Sequence, residues 1–123
     1  MDGVFIHIDR TDPNVLVVSL SGELDHSCRQ DLVDVIDSFT RSTKDNVRVD
    51  LRHVERITVG CCAAFLVLQG LAEERNGQCT LVAPTRPVRR VLELAQVAPP
   101  CQVVPSGRHL HLVEPATVRR KEA

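Results

Sequence analysis

Residues 47–82 read VRVDLRHVERITVGCCAAFLVLQGLAEERNGQCTLV, and the fold turns on them. Val47, Val49 and Leu51 alternate with Arg48 and Asp50, the period-2 pattern of a strand. Cys79 to Val82 is a second short apolar run, β-branched at Thr80 and Val82. Between them, Cys61 to Leu68 is apolar without a break, and polar residues return at Gln69 and at Glu73, Glu74 and Arg75. A segment apolar all round at its start and polar at its end predicts a helix whose N-terminal half is buried. Asn76-Gly77 supplies the stop and the turn. Strand, helix and strand at this length make a βαβ crossover, with parallel strands and a right-handed connection. The turn from Ile57 to Gly60 falls where the helix begins, at the carboxyl end of a parallel strand. That is where α/β proteins usually gather their chemistry.

Upstream, Val4 to Ile8 reads as a strand with Val4, Ile6 and Ile8 on one face and Phe5 and His7 on the other. Thr11 to Asn14 is a turn cluster, and Val15 to Leu20 is a strand rich enough in Val and Leu to be central. Two strands with a short turn predict an antiparallel hairpin. Ser21 to His26 reads as a loop. Ser27 and Gln30 have the spacing of a capping box, ahead of Cys28, Leu32, Val35, Ile36 and Phe39 at helical spacing. Downstream, Thr85 is placed to cap a helix with Pro87 in its first turn and Val88, Val91, Leu92 and Ala95 as its stripe. Pro99-Pro100 ends that helix, and Cys101 to Val104 fits a short edge strand. Residues 108–114 alternate like a strand but sit where a terminal helix would also fit. The prediction is α/β: a mixed sheet of four to five strands with an antiparallel N-terminal edge strand, flanked by three to four helices. Parallel interior strands this apolar predict helices on both faces. Residues 1–123 read as one domain, with a core over 4–104 and a C-terminal extension over 105–123.

Composition narrows the function. With three Phe, no Trp and no Tyr, the core must be aliphatic. The net charge of −1 and the dispersed basic residues leave no electrostatic footprint for nucleic acid. No apolar run reaches the roughly 18–20 residues of a membrane span, and the N-terminus lacks a signal pattern, so a cytoplasmic location is expected. Five cysteines at irregular spacing, without a Cys-x-x-Cys pair, predict packing residues rather than a disulfide framework or a zinc site. No phosphate-binding loop, dinucleotide fingerprint or nucleophile elbow is present, so an enzyme is not expected and neither is a cofactor. His109 and His111 lack a third metal ligand and read as surface histidines. Glu23 and Asp25 read as solvated carboxylates beside a helix start rather than as an acid and a base. Arg86, Arg89 and Arg90 read as a solvated helix face, with an acidic docking partner as the alternative.

Four stretches in register resemble the STAS domains of the anti-sigma factor antagonists. Ser21-Gly22-Glu23-Leu24-Asp25 resembles the family's G-x-L-D signature. Val54 to Cys62 is similar to its L-x-x-I-D-S-S-G-L phosphorylation loop. Asn76-Gly77-Gln78 falls at its Gly-Gly turn, and Arg86 to Leu94 resembles its V-x-R-x-L/F-E helix. The resemblance covers about residues 4–104. It implies a binding module that sequesters a kinase-type anti-sigma factor and so regulates transcription. The implied partner surface is Asp25, His26 and Ser27, then Thr58, Val59, Gly60, Cys61 and Cys62, and Arg86. The family's phosphorylated serine falls on Gly60, its aspartate on Thr58, its first serine on Val59 and its glycine on Cys61. The usual switch would therefore be missing. Thr58 is a weak substitute acceptor, because it stands at the family's aspartate.

Thiol chemistry is one replacement for the lost switch. Cys28 and Cys61 lie at helix starts, which favour thiolate, so Cys28, Cys61 and Cys62 are redox candidates. A small-ligand or nucleotide sensor is the competing function, since a helix N-terminus also accepts anions. A monomer or weak homodimer is expected, with no nucleic acid or membrane partner.

Overall fold

The computed structural model describes residues 4–105. Five strands form one sheet in chain order: β1 (Phe5–Asp9), β2 (Val15–Leu24), β3 (Asn46–Ile57), β4 (Cys79–Val82) and β5 (Gln102–Val104). β1 runs antiparallel to β2, and every other pair is parallel. Three helices, α1 (Arg29–Arg41), α2 (Val59–Glu74) and α3 (Arg86–Leu94), make the crossovers, and a 3-10 turn, His26–Cys28, precedes α1. The predicted mixed sheet with an antiparallel N-terminal edge is the one observed. Residues 108–114, with His109 and His111, lie outside the described residues.

Each crossover steps to the next strand in the same direction, and right-handed crossovers of that kind put all helices on one face. Burial agrees. Leu16 and Val18 stand level with Val47 and Val49, and these with Cys79 and Leu81, all fully buried. Val15, Val17, Ser19, Arg48 and Asp50, which alternate with them, stay partly exposed. The expectation of helices on both faces is corrected: among the described residues, helices pack on one. The alternation in β3, with Arg48 and Asp50 between buried valines, is the signature of a one-sided strand.

Two strands run past their predicted ends, and this matters for function. β2 continues through Ser21–Leu24, which read as loop, because Leu20 and Leu24 keep the period-2 burial. β3 continues from Leu51 to Ile57, although its alternation fails at Arg52-His53. The pairing shows why. Its register against β2 slips between Ser19 and Ser21 and again between Gly22 and Glu23. Each slip inserts one extra residue into β3, so Val54 and Ile57 return to the buried face at a spacing of three.

The helix ends follow local rules, with three corrections. Ser27 is not the cap of α1. Asp25 caps the 3-10 turn instead, α1 begins at Arg29 with no side-chain cap, and Gln30 bonds the Asp34 carboxylate. Helix α2 starts at Val59, so Val59 and Gly60 belong to the helix rather than to a turn. Thr85 sits at the cap position of α3, but its hydroxyl is buried and makes no hydrogen bond. The stop of α2 is as read: Asn76 takes the left-handed φ of 62°, and the Asn76 and Gly77 amides donate to the carbonyls of Glu73 and Ala72.

One arginine ties the helix layer together. Arg75 donates to the carbonyls of Phe39 (3.1 Å), Lys44 (2.7 Å) and Thr40 (2.9 Å), and its guanidinium lies 4.7 Å from the centroid of the Phe39 ring. Carbonyls at the end of α1, unsatisfied within the helix, are thus capped from the end of α2.

Candidate functional site

β2 and β3 finish together. Leu24 pairs with Ile57, and the Thr58 amide donates to the Leu24 carbonyl at 3.0 Å. The segments that follow, 25–28 and 58–62, therefore form one rim.

On the first segment, Asp25 orders the chain. Its carboxylate accepts from the Ser27 hydroxyl at 2.6 Å and the Ser27 amide at 2.9 Å. These bonds hold the Asp25 carboxyl below its ordinary pKa. Its carbonyl accepts from the Cys28 amide and thiol, each at 3.0 Å. His26 and Ser27 face solvent, and Cys28 is buried. On the second segment, Thr58 caps α2. Its hydroxyl oxygen accepts from the Cys61 amide at 3.4 Å, and the hydroxyl donates to the Cys61 sulfur at 3.3 Å. The Cys62 thiol reaches the Thr58 carbonyl at 3.5 Å. The Thr58 hydroxyl is thus engaged in the cap.

Beyond the cap the rim turns apolar. Val59 is 61% exposed, and a Cβ at Gly60 would meet nothing within 4 Å. The outward face of α2 continues with Ala63, Leu66, Val67 and Gly70, all exposed and uncharged. The sequence suggests that the first half of this helix is buried all round; the structure corrects this, because among the described residues the helices pack on one sheet face and α2 has an outer side. Ala63, Leu66 and Val67 were therefore missing from the predicted surface. Their signal was the absence of any charge across three helical turns, which a solvated face normally carries.

Arg86 is exposed at the start of α3, four residues after β4 ends at Val82 opposite Asp50.

The cysteines are all reduced and all buried. Cys28 lies against Cys61, under the rim. Burial first, and the neighbouring Cys61 second, push the thiols of Cys28 and Cys62 up to about 11. Burial thus outweighs the helix-start effect that would favour thiolate. A second thiol pair, absent from the sequence reading, lies in the core. Cys79 hydrogen-bonds the Cys101 sulfur, which together with burial raises the Cys79 thiol, and the Cys101 thiol reaches the Phe65 carbonyl at 3.4 Å. Nothing in the sequence marks that pair, because the β4–β5 register alone brings the two together. Among the described residues no group of three or more His, Cys, Asp or Glu could hold a metal ion, and no helix is long and apolar enough to cross a membrane.

Solved structures share the fold. The unphosphorylated anti-sigma factor antagonist SpoIIAA is 16% identical, with a TM-score of 0.74 over 91% of this chain and 98% of that one. An anti-sigma factor antagonist from Mycobacterium paratuberculosis is 23% identical, with a TM-score of 0.71 over 94% and 97%. A putative anti-sigma factor antagonist from Thermotoga maritima is 19% identical, with a TM-score of 0.74 over 90% and 95%. No curated protein matches the chain significantly. The family model described as "Mlab, STAS domain" matches residues 7–105, nearly all of the sheet and all three helices. By that match this chain belongs to the STAS-domain family.

Proposed function

We propose that this chain is an anti-sigma-factor-antagonist-like binding module that sequesters a kinase-type anti-sigma factor and thereby regulates transcription. One observation carries the reading: the rim ends in an exposed, uncharged helix start, Val59 and Gly60, beside the polar turn Asp25–Ser27. An apolar centre with a polar edge is the usual anatomy of a protein contact. The shared fold with proteins described as anti-sigma factor antagonists supports the same role. Contact centres on Asp25, His26, Ser27, Thr58, Val59 and Gly60, with Cys61 and Cys62 packed beneath, and Ala63, Leu66 and Val67 extend it along α2. Arg86, at the start of α3, joins the contact. The module performs no reaction of its own. Without a hydroxyl at residue 60, the partner's kinase activity does not end the complex by modifying that position. Redox modulation acts through Cys28 and Cys61, which lie against each other beneath the rim.

The test is titration of the purified protein with each kinase-type anti-sigma factor of its source organism, with and without ATP, while backbone amide shifts are followed. Shifts clustered at 25–28 and 58–67, unchanged by prolonged incubation with ATP, support the reading. A nucleotide retained by the protein in place of a protein partner, or shifts confined to the opposite end of the sheet, would refute it.

A further inference from the structure

The outer face of α3 runs against the rules that stabilise helices. Arg86, Arg89 and Arg90 crowd its start, where the helix dipole disfavours cations, and its first turn has no acidic residue. Arg86 and Arg90 stand one turn apart and repel each other. Arg89 pairs with Glu93 at 3.6 Å, whereas Arg86 and Arg90 have no partner among the described residues. The four side chains line a shallow, open groove of about 310 Å³. One turn past Arg90, Leu94 is 74% exposed. Three guanidiniums against one carboxylate, with an exposed leucine one turn on, leave a net positive, partly apolar face that an acidic amphipathic segment complements.

We propose that this face docks an acidic, amphipathic segment of a partner protein. Two carboxylates one helical turn apart meet Arg86 and Arg90, and an apolar side chain one turn further covers Leu94. A guanidinium takes a carboxylate through two parallel N–H···O bonds, so two guanidiniums one turn apart set both position and direction. The groove is too open to enclose a small anion. A single exposed leucine at the end of the arginine row offers little to a bilayer, which rewards a broad apolar face. The face belongs to α3 and not to the segments 25–28 and 58–62, so it stands whether or not those segments bind an anti-sigma factor.

The probe is a fluorescein-labelled helical peptide with Glu-x-x-x-Glu-x-x-x-Leu along one face, titrated with the full chain by anisotropy at about 50 mM salt. Saturable binding is expected, weakened several-fold at about 300 mM salt. The double variant Arg86→Glu/Arg90→Glu should lose at least roughly tenfold in affinity, and Leu94→Ala about threefold. Both substitutions are on the surface, and unchanged thermal melts establish that the variants fold. The proposal is overturned if binding is not saturable or if the double variant binds as well as wild type. It is also overturned if a peptide with serine for leucine binds equally, or if anionic phosphatidylserine vesicles capture the protein while the peptide does not.

Discussion

Replacing Gly60 by glutamate should make the protein more stable and its rim unfit for binding. Gly60 is the second residue of α2, exposed, with open space where a Cβ would stand. A side chain there meets no atom, so the folded state is not strained. Gly60→Ala removes backbone freedom from the unfolded chain and should stabilise by about 0.5–1 kcal/mol. A carboxylate adds about 0.3–1 kcal/mol through the helix dipole, in a first turn that now has no acid. The sum for Gly60→Glu is roughly 0.8–2 kcal/mol. A chain of 123 residues has an unfolding entropy of about 0.26 kcal/mol/K, so the melting temperature should rise by about 3–8 °C. Binding should respond in the opposite sense. A charge inside an apolar contact must be desolvated without a partner, so affinity for the proposed anti-sigma factor partner should fall at least roughly tenfold, while Gly60→Ala binds nearly as wild type. Scanning calorimetry reads the first effect and isothermal titration the second. A lower melting temperature for Gly60→Ala would mean that α2 does not begin where described. Undiminished binding by Gly60→Glu would mean that the rim is not the contact.

Arg75→Lys should destabilise by about 2 kcal/mol in urea unfolding, because an ammonium cannot reach three carbonyls and cover a ring at once; a loss under about 0.5 kcal/mol would contradict the clamp. Gly77→Ala should destabilise strongly, since a Cβ there would overlap the Asp45 carbonyl; an unchanged urea midpoint would place the turn elsewhere. With thiols near pKa 11, Cys28 and Cys62 should react with iodoacetamide at pH 8 roughly a hundredfold more slowly than an exposed cysteine, as read by peptide mass spectrometry. The same shift carries a sign for stability. The folded protein keeps protons that the unfolded chain releases, so stability is full below pH 9.0 and declines as pH rises towards about 11; melts that are flat across that window would refute the burial of these thiols.

Much of the architecture was legible because it rests on local patterns. Period-2 alternation at Val47–Leu51, the helical spacing of Leu32, Val35 and Phe39, and the Asn76-Gly77 stop each follow from backbone geometry within a few residues. Those patterns placed β2, β3 and β4 in the interior and β1 at the edge. They also put Asp25–Cys28 and Thr58–Cys62 at neighbouring strand ends, and the structure joins them. Where pairing overrode pattern, the sequence was silent. β3 reaches Ile57 only because two slips against β2 restore Val54 and Ile57 to the core, and a slip is a property of two strands, not of one. The meeting of Cys79 with Cys101 likewise depends on register. The outer side of α2 had the same origin. Its residues are apolar in sequence whether buried or bare, and only the packing of α1, α2 and α3 on one sheet face left Val59, Leu66 and Val67 in solvent.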